Sequence, residues 1–206
     1  MAAPTGIMVI VLTLFSGLGC RQVIRSSLVS AMNESNTSGS VSQSERQPLK
    51  VPLTNPRILV RKQARKLELY ENDSLLRTYR VGLGFSPVLD KRQEGDGATP
   101  EGDFYVFVKN EKSAYYLSLG VSYPNIEDAD RGFRDGLISK AQHRAITDAI
   151  RKKVAPPQYT KLGGLIYIHG HGAQSDWTLG CVALENEDIR ELFQAVKVGT
   201  PVSIMP

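Results

Sequence analysis

Hydrophobic and polar residues alternate over several short stretches after residue 56, and this alternation predicts a mainly β domain. The period of two is typical of strands with one buried face. Asn72 and Asp73 lie between two of these stretches and predict a turn. The predicted strands cover residues 57–61, 66–70, 76–84, 103–108, 115–119, 165–169 and 201–205.

Two stretches show helical spacing of their hydrophobic residues instead. Residues 139–154 repeat Ala and Ile at this spacing and end before two prolines, and residues 186–196 carry an apolar face with Asn186 as the expected N-cap. The residues from 94 to 102 are rich in turn formers and predict a tight loop. We therefore expect one domain, residues 56–206, mainly β with two or more helices (α+β).

The first 55 residues differ from this domain in composition. The apolar run from Ile7 to Gly19 is shorter than the roughly 20 residues of a spanning helix and is typical of a signal peptide. Small residues precede Cys20, as in bacterial lipoprotein processing sites, so acylation of Cys20 is expected. A cleaved signal with an incidental cysteine and an uncleaved anchor remain alternatives. Residues 1–20 are thus predicted to be an export segment, and residues 21–55, which are rich in serine, a disordered tether.

Charge and cysteine content narrow the class of protein. The 206 residues carry a formal net charge of +4 without a Lys/Arg block, so no nucleic-acid partner is expected. A modest positive charge suits an anionic polymer such as a cell wall, and equally suits ordinary solubility. Two cysteines, Cys20 and Cys181, exclude a disulfide-stapled mini-domain. If Cys20 is cleaved off or acylated, Cys181 is a lone thiol.

The candidate chemistry lies between residues 168 and 184. A strand predicted to end at His169 is followed by Gly170, and Cys181 follows Gly180 after a loop. A thiol becomes a nucleophile when a nearby base accepts its proton, and histidine serves that purpose. Glycines leave backbone N–H groups free, and such groups beside a nucleophile could hold an oxyanion. From the residues alone, a buried structural cysteine and a hydrogen-bonded surface histidine remain open as the more common alternatives.

The same residues resemble the YkuD-type L,D-transpeptidase catalytic domain, in its YafK-like branch. Residues 178–181 (TLGC) resemble the family's Ser/Thr-x-Gly-Cys motif, and residues 168–170 (IHG) its strand-end His-Gly. Residues 99–104 (TPEGDF) are similar to a further family segment, and the resemblance extends from about residue 57. Leu179 and Ala183 depart from the family's usual His and Arg, so the role of that Arg in binding a substrate carboxylate is not carried over.

The resemblance implies a fold, a reaction and a set of site residues. The fold would be the β-sandwich of L,D-transpeptidase catalytic domains. Cys181 would be the nucleophile and His169 the general base, oriented by a backbone carbonyl within 170–172. Backbone N–H groups near Gly180 and Cys181 would stabilise the oxyanion. A thioester with a peptidoglycan stem peptide would pass to an amine in a transpeptidase, or to water in a carboxypeptidase or endopeptidase. Residues expected to line the substrate site are Gly170, His171, Trp177, Thr178, Tyr115 and Tyr116.

Partners and location follow from the same resemblance. Peptidoglycan stem peptides are the expected substrates, a wall-attached lipoprotein is a further one, and no cofactor or metal is expected. The protein would be exported to the cell envelope, facing the periplasm, with the membrane contacted through the N-terminal segment or its lipid. The segment 124–164 would cap the cleft and offer positive charge to substrate carboxylates, and a plain solvated helix is the alternative. The basic residues considered for this role are Arg131, Arg134, Lys140, His143 and Arg144.

Two rival classes remain open. The first is a metallohydrolase, whose ligands would be His169, His171, Asp176, His143 and Cys181. The second is a non-catalytic module that binds the cell wall through the same fold.

Overall fold

The computed structural model describes residues 47–206, so the predicted export segment and most of the predicted tether lie outside the described residues. No helix in this part is long and apolar enough to cross a membrane. The strands are β1 (Pro56–Arg61), β2 (Lys66–Glu71), β3 (Ser74–Arg80), β4 (Gly102–Ser113), β5 (Tyr116–Val121), β6 (Tyr167–His169), β7 (Val182–Ala183) and β8 (Pro201–Met205). The helices are α1 (Ile126–Arg134), α2 (Lys140–Arg151) and α3 (Asn186–Ala195).

All eight strands form one sheet in the order β3-β2-β1-β8-β4-β5-β6-β7. The sheet curls back on itself, because Gly82 and Gly84, beyond the end of β3, bridge to Ala183 and Thr178 at the opposite end of the sheet. Strand β4 pairs with β8 on one side and with β5 on the other, with two register irregularities along the β5 pairing. The expected fold class, mainly β with helices, is confirmed.

One hydrophobic core fills the interior of the curled sheet. Its fully buried side chains come from strands at both ends of the strand order, for example Leu67 and Leu69 of β2 and Ile168 of β6. Helix α3 adds Ile189 and Leu192 to the same cluster. Burying each side chain of this size contributes about 1.5–3 kcal/mol, so the core fixes β6 and β7 firmly in place.

Helices α1 and α2 pack together beside this sheet around a smaller cluster. Ala129, Ile138, Ile146 and Leu162 are its buried members. Helix α1 is absent from the sequence prediction, although it has a clear start signal: Asn125 and Asp128 form a capping box. Its buried face contains Ala129 and Gly132, which give little hydrophobic periodicity, so the pattern of large apolar residues does not mark it.

Several predicted boundaries are corrected. Strand β3 ends at Arg80 rather than at 84, because the chain beyond it makes the two isolated bridges. Strand β6 begins at Tyr167 rather than at 165, since Leu165 has a positive φ of 55° and is exposed. Helix α3 takes Glu185 as its N-cap rather than Asn186.

The predicted tether also extends too far. Leu53 is buried in the core and its N–H donates to the carbonyl of Ala195, while Leu49 packs against the same cluster. The packed domain therefore begins several residues before Pro56.

Candidate active site

His169 and Cys181 lie on two adjacent parallel strands. The register pairs Ile168 with Val182 and His169 with Ala183, so Cys181 stands one residue before β7, opposite Tyr167. Ile168 and Val182 point into the core. Because side chains alternate along a strand, His169 and Cys181 both point to the opposite face. Strand spacing and rise place their Cα atoms about 8 Å apart, which is within reach of two side chains directed toward each other.

The imidazole of His169 is oriented by its own backbone neighbour. Its Nδ1 lies 2.7 Å from the carbonyl oxygen of Gly170. A carbonyl only accepts hydrogen bonds, so Nδ1 carries the proton and Nε2 of the neutral ring has a free lone pair. The orienting carbonyl expected within residues 170–172 is thus the one of Gly170.

Aromatic rings surround this imidazole. Tyr115 stacks on His169 with ring centroids 4.6 Å apart, and Trp177 meets it edge-on at 5.6 Å. His169 is only 2% exposed. Burial lowers the pKa of His169, the nearby His171 lowers it further, and the bond to Gly170 works in the opposite direction. The ring is therefore neutral at neutral pH and able to accept a proton.

The thiol of Cys181 is partly buried beside β6. Its Sγ donates to the carbonyl of Leu165 at 3.5 Å and accepts from the N–H of Tyr167 at 3.4 Å. Burial raises the pKa of Cys181, against smaller lowering effects of the Tyr167 N–H and of Lys91. No hydrogen bond joins Sγ to the His169 ring within residues 47–206. Cys181 thus carries its proton in the resting protein.

A tight turn before Cys181 is fixed by the buried hydroxyl of Thr178. This hydroxyl donates to the carbonyl of Cys181 at 2.8 Å and accepts from the N–H of Gly180 at 3.1 Å. Gly180 has a φ of +130°, and a Cβ placed there would lie 2.6 Å from the carbonyl oxygen of Ala98. Only glycine suits that position.

The predicted oxyanion donors are corrected by this turn. The N–H of Gly180 is already bonded to Thr178, so it does not point freely at a substrate. The N–H of Cys181 has no hydrogen-bond partner in the described part of the chain and remains a candidate donor.

Asp176 anchors the loop that carries Trp177 and Thr178. Its carboxylate accepts from the guanidinium of Arg65 at 2.8 Å and from the N–H of Leu83 at 2.9 Å. These bonds attach the loop to the strands at the other end of the sheet. Asp176 therefore has a structural role here, which differs from the metal-ligand role considered from the sequence.

The predicted substrate-lining residues separate into two groups. An open depression of about 390 Å³ is lined by Tyr115, His171, Gly172, Gln174, Ser175 and Trp177. Tyr116 lies outside it, and Thr178 is buried beneath the turn. Gly170 is packed against Tyr115 and Asn186, and the Asn186 side chain accepts from the N–H of His171.

The proposed cap, residues 124–164, presents only part of the expected positive charge. Arg131 is bound to Asp90 at 3.0 Å and to Asp128 at 2.8 Å, so its guanidinium is not available to a substrate carboxylate. His143 pairs with Asp130 at 2.6 Å. The other three residues considered for this role are exposed: Arg134, Lys140 and Arg144.

The residues considered as metal ligands do not come together. His143 lies on α2 with Asp130, and Asp176 is bonded to Arg65. Within residues 47–206 no three His, Cys, Asp or Glu side chains are grouped as a metal site.

Comparison of the chain with known proteins bears on its fold and on its family. No functionally curated protein matches the chain. Among solved structures, the helical cell shape determining protein Pgp2 from Campylobacter jejuni is 23% identical with a TM-score of 0.50, covering 78% of this chain and 52% of that one. A single-substitution variant of it gives a TM-score of 0.51 at 23% identity, covering 75% and 48%. An L,D-transpeptidase from Mycobacterium smegmatis is 11% identical with a TM-score of 0.44, covering 74% and 59%.

These likenesses concern the fold, and the chain spans about half the length of the Pgp2 structures. The family assignment has a separate basis in sequence. The YkuD model, described as the L,D-transpeptidase catalytic domain, matches residues 55–204. The chain belongs to the YkuD family of L,D-transpeptidase catalytic domains.

Proposed function

We propose that this protein is a cysteine acyltransferase that cross-links peptidoglycan stem peptides as an L,D-transpeptidase, with Cys181 as nucleophile and His169 as general base. The observation that carries the proposal is the pairing of β6 with β7, which directs both side chains to one face. Tyr115 and Trp177, whose rings contact His169, also line the open depression. The orientation of His169 by Gly170 adds to it, because it leaves Nε2 free to accept the thiol proton.

The first half-reaction transfers the acyl group to sulfur. His169 Nε2 takes the proton of Cys181 as Sγ attacks the carbonyl carbon of the bond between the L-centre and the terminal D-amino acid. The S–C bond forms, and the negative charge on oxygen is stabilised by the N–H of Cys181. The C–N bond then breaks, and the departing amine receives the proton from His169, which leaves a thioester.

The second half-reaction returns the enzyme to its resting state. An acceptor amine from a second stem attacks the thioester and loses a proton to His169. The N–C bond forms, the C–S bond breaks, and the Cys181 sulfur regains the proton. If water replaces the amine, the same steps give a shortened stem or a released wall-attached lipoprotein.

The resting protonation states favour a concerted first step. The pKa of Cys181 is raised and that of His169 is lowered, so the neutral thiol and neutral imidazole predominate over the ion pair. The proton therefore moves as the S–C bond forms, in the manner of a general base rather than from a preformed thiolate.

The cellular setting is part of the proposal. We place the enzyme in the cell envelope, where its substrate lies, with the N-terminal segment directing export. Pgp2, whose fold it shares, is described as determining helical cell shape; an effect on wall shape is accordingly proposed here through altered cross-linking.

Product analysis with purified muropeptides tests the function. We expect cross-linked dimers by mass spectrometry, and none with Cys181→Ala. Shortened stems or opened cross-links without dimers would show hydrolysis rather than transfer. Equal products from Cys181→Ala and the unaltered protein would remove the cysteine mechanism, and an absence of all products would favour the wall-binding module.

A further inference from the structure

A buried lysine, Lys91, lies in the loop beside the thiol. It is 2% exposed, and its ammonium group donates to Asp96 at 2.9 Å and to the carbonyl of Gln93 at 3.1 Å. It also lies 5.9 Å from the ring of Tyr123. A buried cation with one carboxylate partner is costly to maintain, so its location calls for a reason beyond surface solubility.

Asp96 connects this lysine to the turn before Cys181. The carboxylate that binds Lys91 also accepts from the N–H of Ala98 at 3.0 Å. The carbonyl of Ala98 in turn packs so closely on Gly180 that no Cβ fits there. Displacement of the Lys91–Asp96 pair would therefore disturb the packing of Ala98 on Gly180, the residue before the nucleophile.

The stem of Lys91 lies close to the other wall of the thiol site. A Cβ on Gly163 would lie 3.3 Å from Cε of Lys91. Two residues further along, the carbonyl of Leu165 accepts the hydrogen bond from Cys181 Sγ. Lys91 is thus linked to one of the segments that flank Cys181 through Asp96 and Ala98, and it lies close to the other at Gly163.

We propose that Lys91 is a positioning residue for Cys181, which fixes the two walls of the thiol site and supplies a buried positive charge that stabilises the thiolate. This inference rests on the proposed function only in taking Cys181 as the nucleophile.

The charges around the thiol are few. Tyr167 acts on it from β6, His169 projects to the same face of that strand, and Tyr159 acts on Tyr167 from the segment before the strand. Lys91, with its partner Asp96, faces it from the loop, and it is the cation that lowers the pKa of Cys181 against the effect of burial. Neutralising Lys91 should therefore raise the pKa of the thiol.

Lys62 is a matched control. It is 1% exposed and fastens the same loop, donating to the carbonyls of Leu89 at 2.7 Å and Thr99 at 2.9 Å and to Glu101 at 2.7 Å. It is not among the groups that act on the thiol of Cys181. Substitution of Lys62 therefore removes a buried lysine that fastens the loop and keeps the positive charge of Lys91.

The experiment measures alkylation of Cys181 by iodoacetamide between pH 6 and 11 in the whole protein. With Lys91→Met we expect the midpoint to move upward by about 0.5–1 pH unit, so the rate at pH 7 falls about three- to tenfold. Lys91→Arg should restore most of the shift. Lys62→Met should leave the midpoint in place.

An unchanged midpoint in Lys91→Met, or an equal shift in Lys62→Met, would overturn the proposal. If Lys91→Met does not fold, Asp96→Asn gives a second test, because it leaves the lysine without its counter-charge and should lower the midpoint; no movement would again refute it. Alkylation does not require peptidoglycan, so a lack of turnover on muropeptides together with the predicted shifts would refute the proposed function and leave this inference standing.

Discussion

The hydroxyl of Thr178 offers the sharpest test of how the thiol site is built. Thr178→Val keeps the shape of the side chain and removes the oxygen. That oxygen bonds both the carbonyl of Cys181 and the N–H of Gly180, and the side chain is buried. The substitution therefore leaves a donor and an acceptor without their partner, on either side of the peptide bond that joins Gly180 to the nucleophile.

The magnitude follows from these two bonds. A buried polar group left unsatisfied costs about 1–3 kcal/mol, so two of them lower the free energy of unfolding by about 2–6 kcal/mol. Thr178→Ser keeps the hydroxyl and loses one methyl group, which costs about 1 kcal/mol. The difference between the two variants isolates the contribution of the oxygen.

Urea unfolding measures the stability of both variants, and iodoacetamide alkylation measures the setting of Cys181. We expect Thr178→Val to be the less stable variant and to show an altered alkylation rate, with Thr178→Ser close to the unaltered protein in rate. Equal stability and equal alkylation rates for the valine and serine variants would refute the assignment of these two hydrogen bonds as the support of the turn.

Four further predictions concern charged groups and aromatic rings of the domain. Because burial raises the pKa of Cys181, its alkylation rate should keep increasing above pH 9. Because burial lowers the pKa of His169, the midpoint of the acid limb of kcat/KM should lie below pH 6.5, and a midpoint above pH 7 would contradict this. Tyr115→Ala should raise the pKa of His169 by exposing the ring, as followed by NMR titration, and a lowered or constant pKa would speak against the role of burial. Arg131→Met should lower the melting temperature because it leaves the carboxylates of Asp90 and Asp128 without their guanidinium partner, whereas substitution of the exposed Arg134 by Met should not. If Arg134→Met changed KM more than Arg131→Met does, this result would support the cap hypothesis.

The sequence predicts those parts of the fold that repeat locally. Strand β8 is found with both its predicted ends, and β1, β2 and the two predicted helices lie within a few residues of their predicted bounds. Alternation and capping residues act over neighbouring positions, so one sequence suffices to recognise them. Strand β4 extends five residues past its predicted end, because the irregularities at Val106 and beyond interrupt the alternation.

The site was only partly predictable. The motif resemblance singles out His169, Cys181 and the glycines around them as candidates, and the register of β6 with β7 directs the two side chains to one face. It did not reveal that Thr178 occupies the N–H of Gly180, since a side-chain hydrogen bond within a turn depends on the rotamer. Nor did it reveal Lys91, because this residue is linked to the turn before Cys181 through Asp96 and Ala98, and all three are far from Cys181 in sequence.

The central claim is that Cys181 forms a thioester, and intact-protein mass spectrometry after mixing with a tetrapeptide stem substrate tests it most directly. The account predicts a mass increase equal to the acyl portion of the stem, mapped to the peptide that contains Cys181, absent in Cys181→Ala and strongly reduced in His169→Ala. Turnover of the substrate with no adduct at any time, together with activity retained in Cys181→Ala, would contradict it.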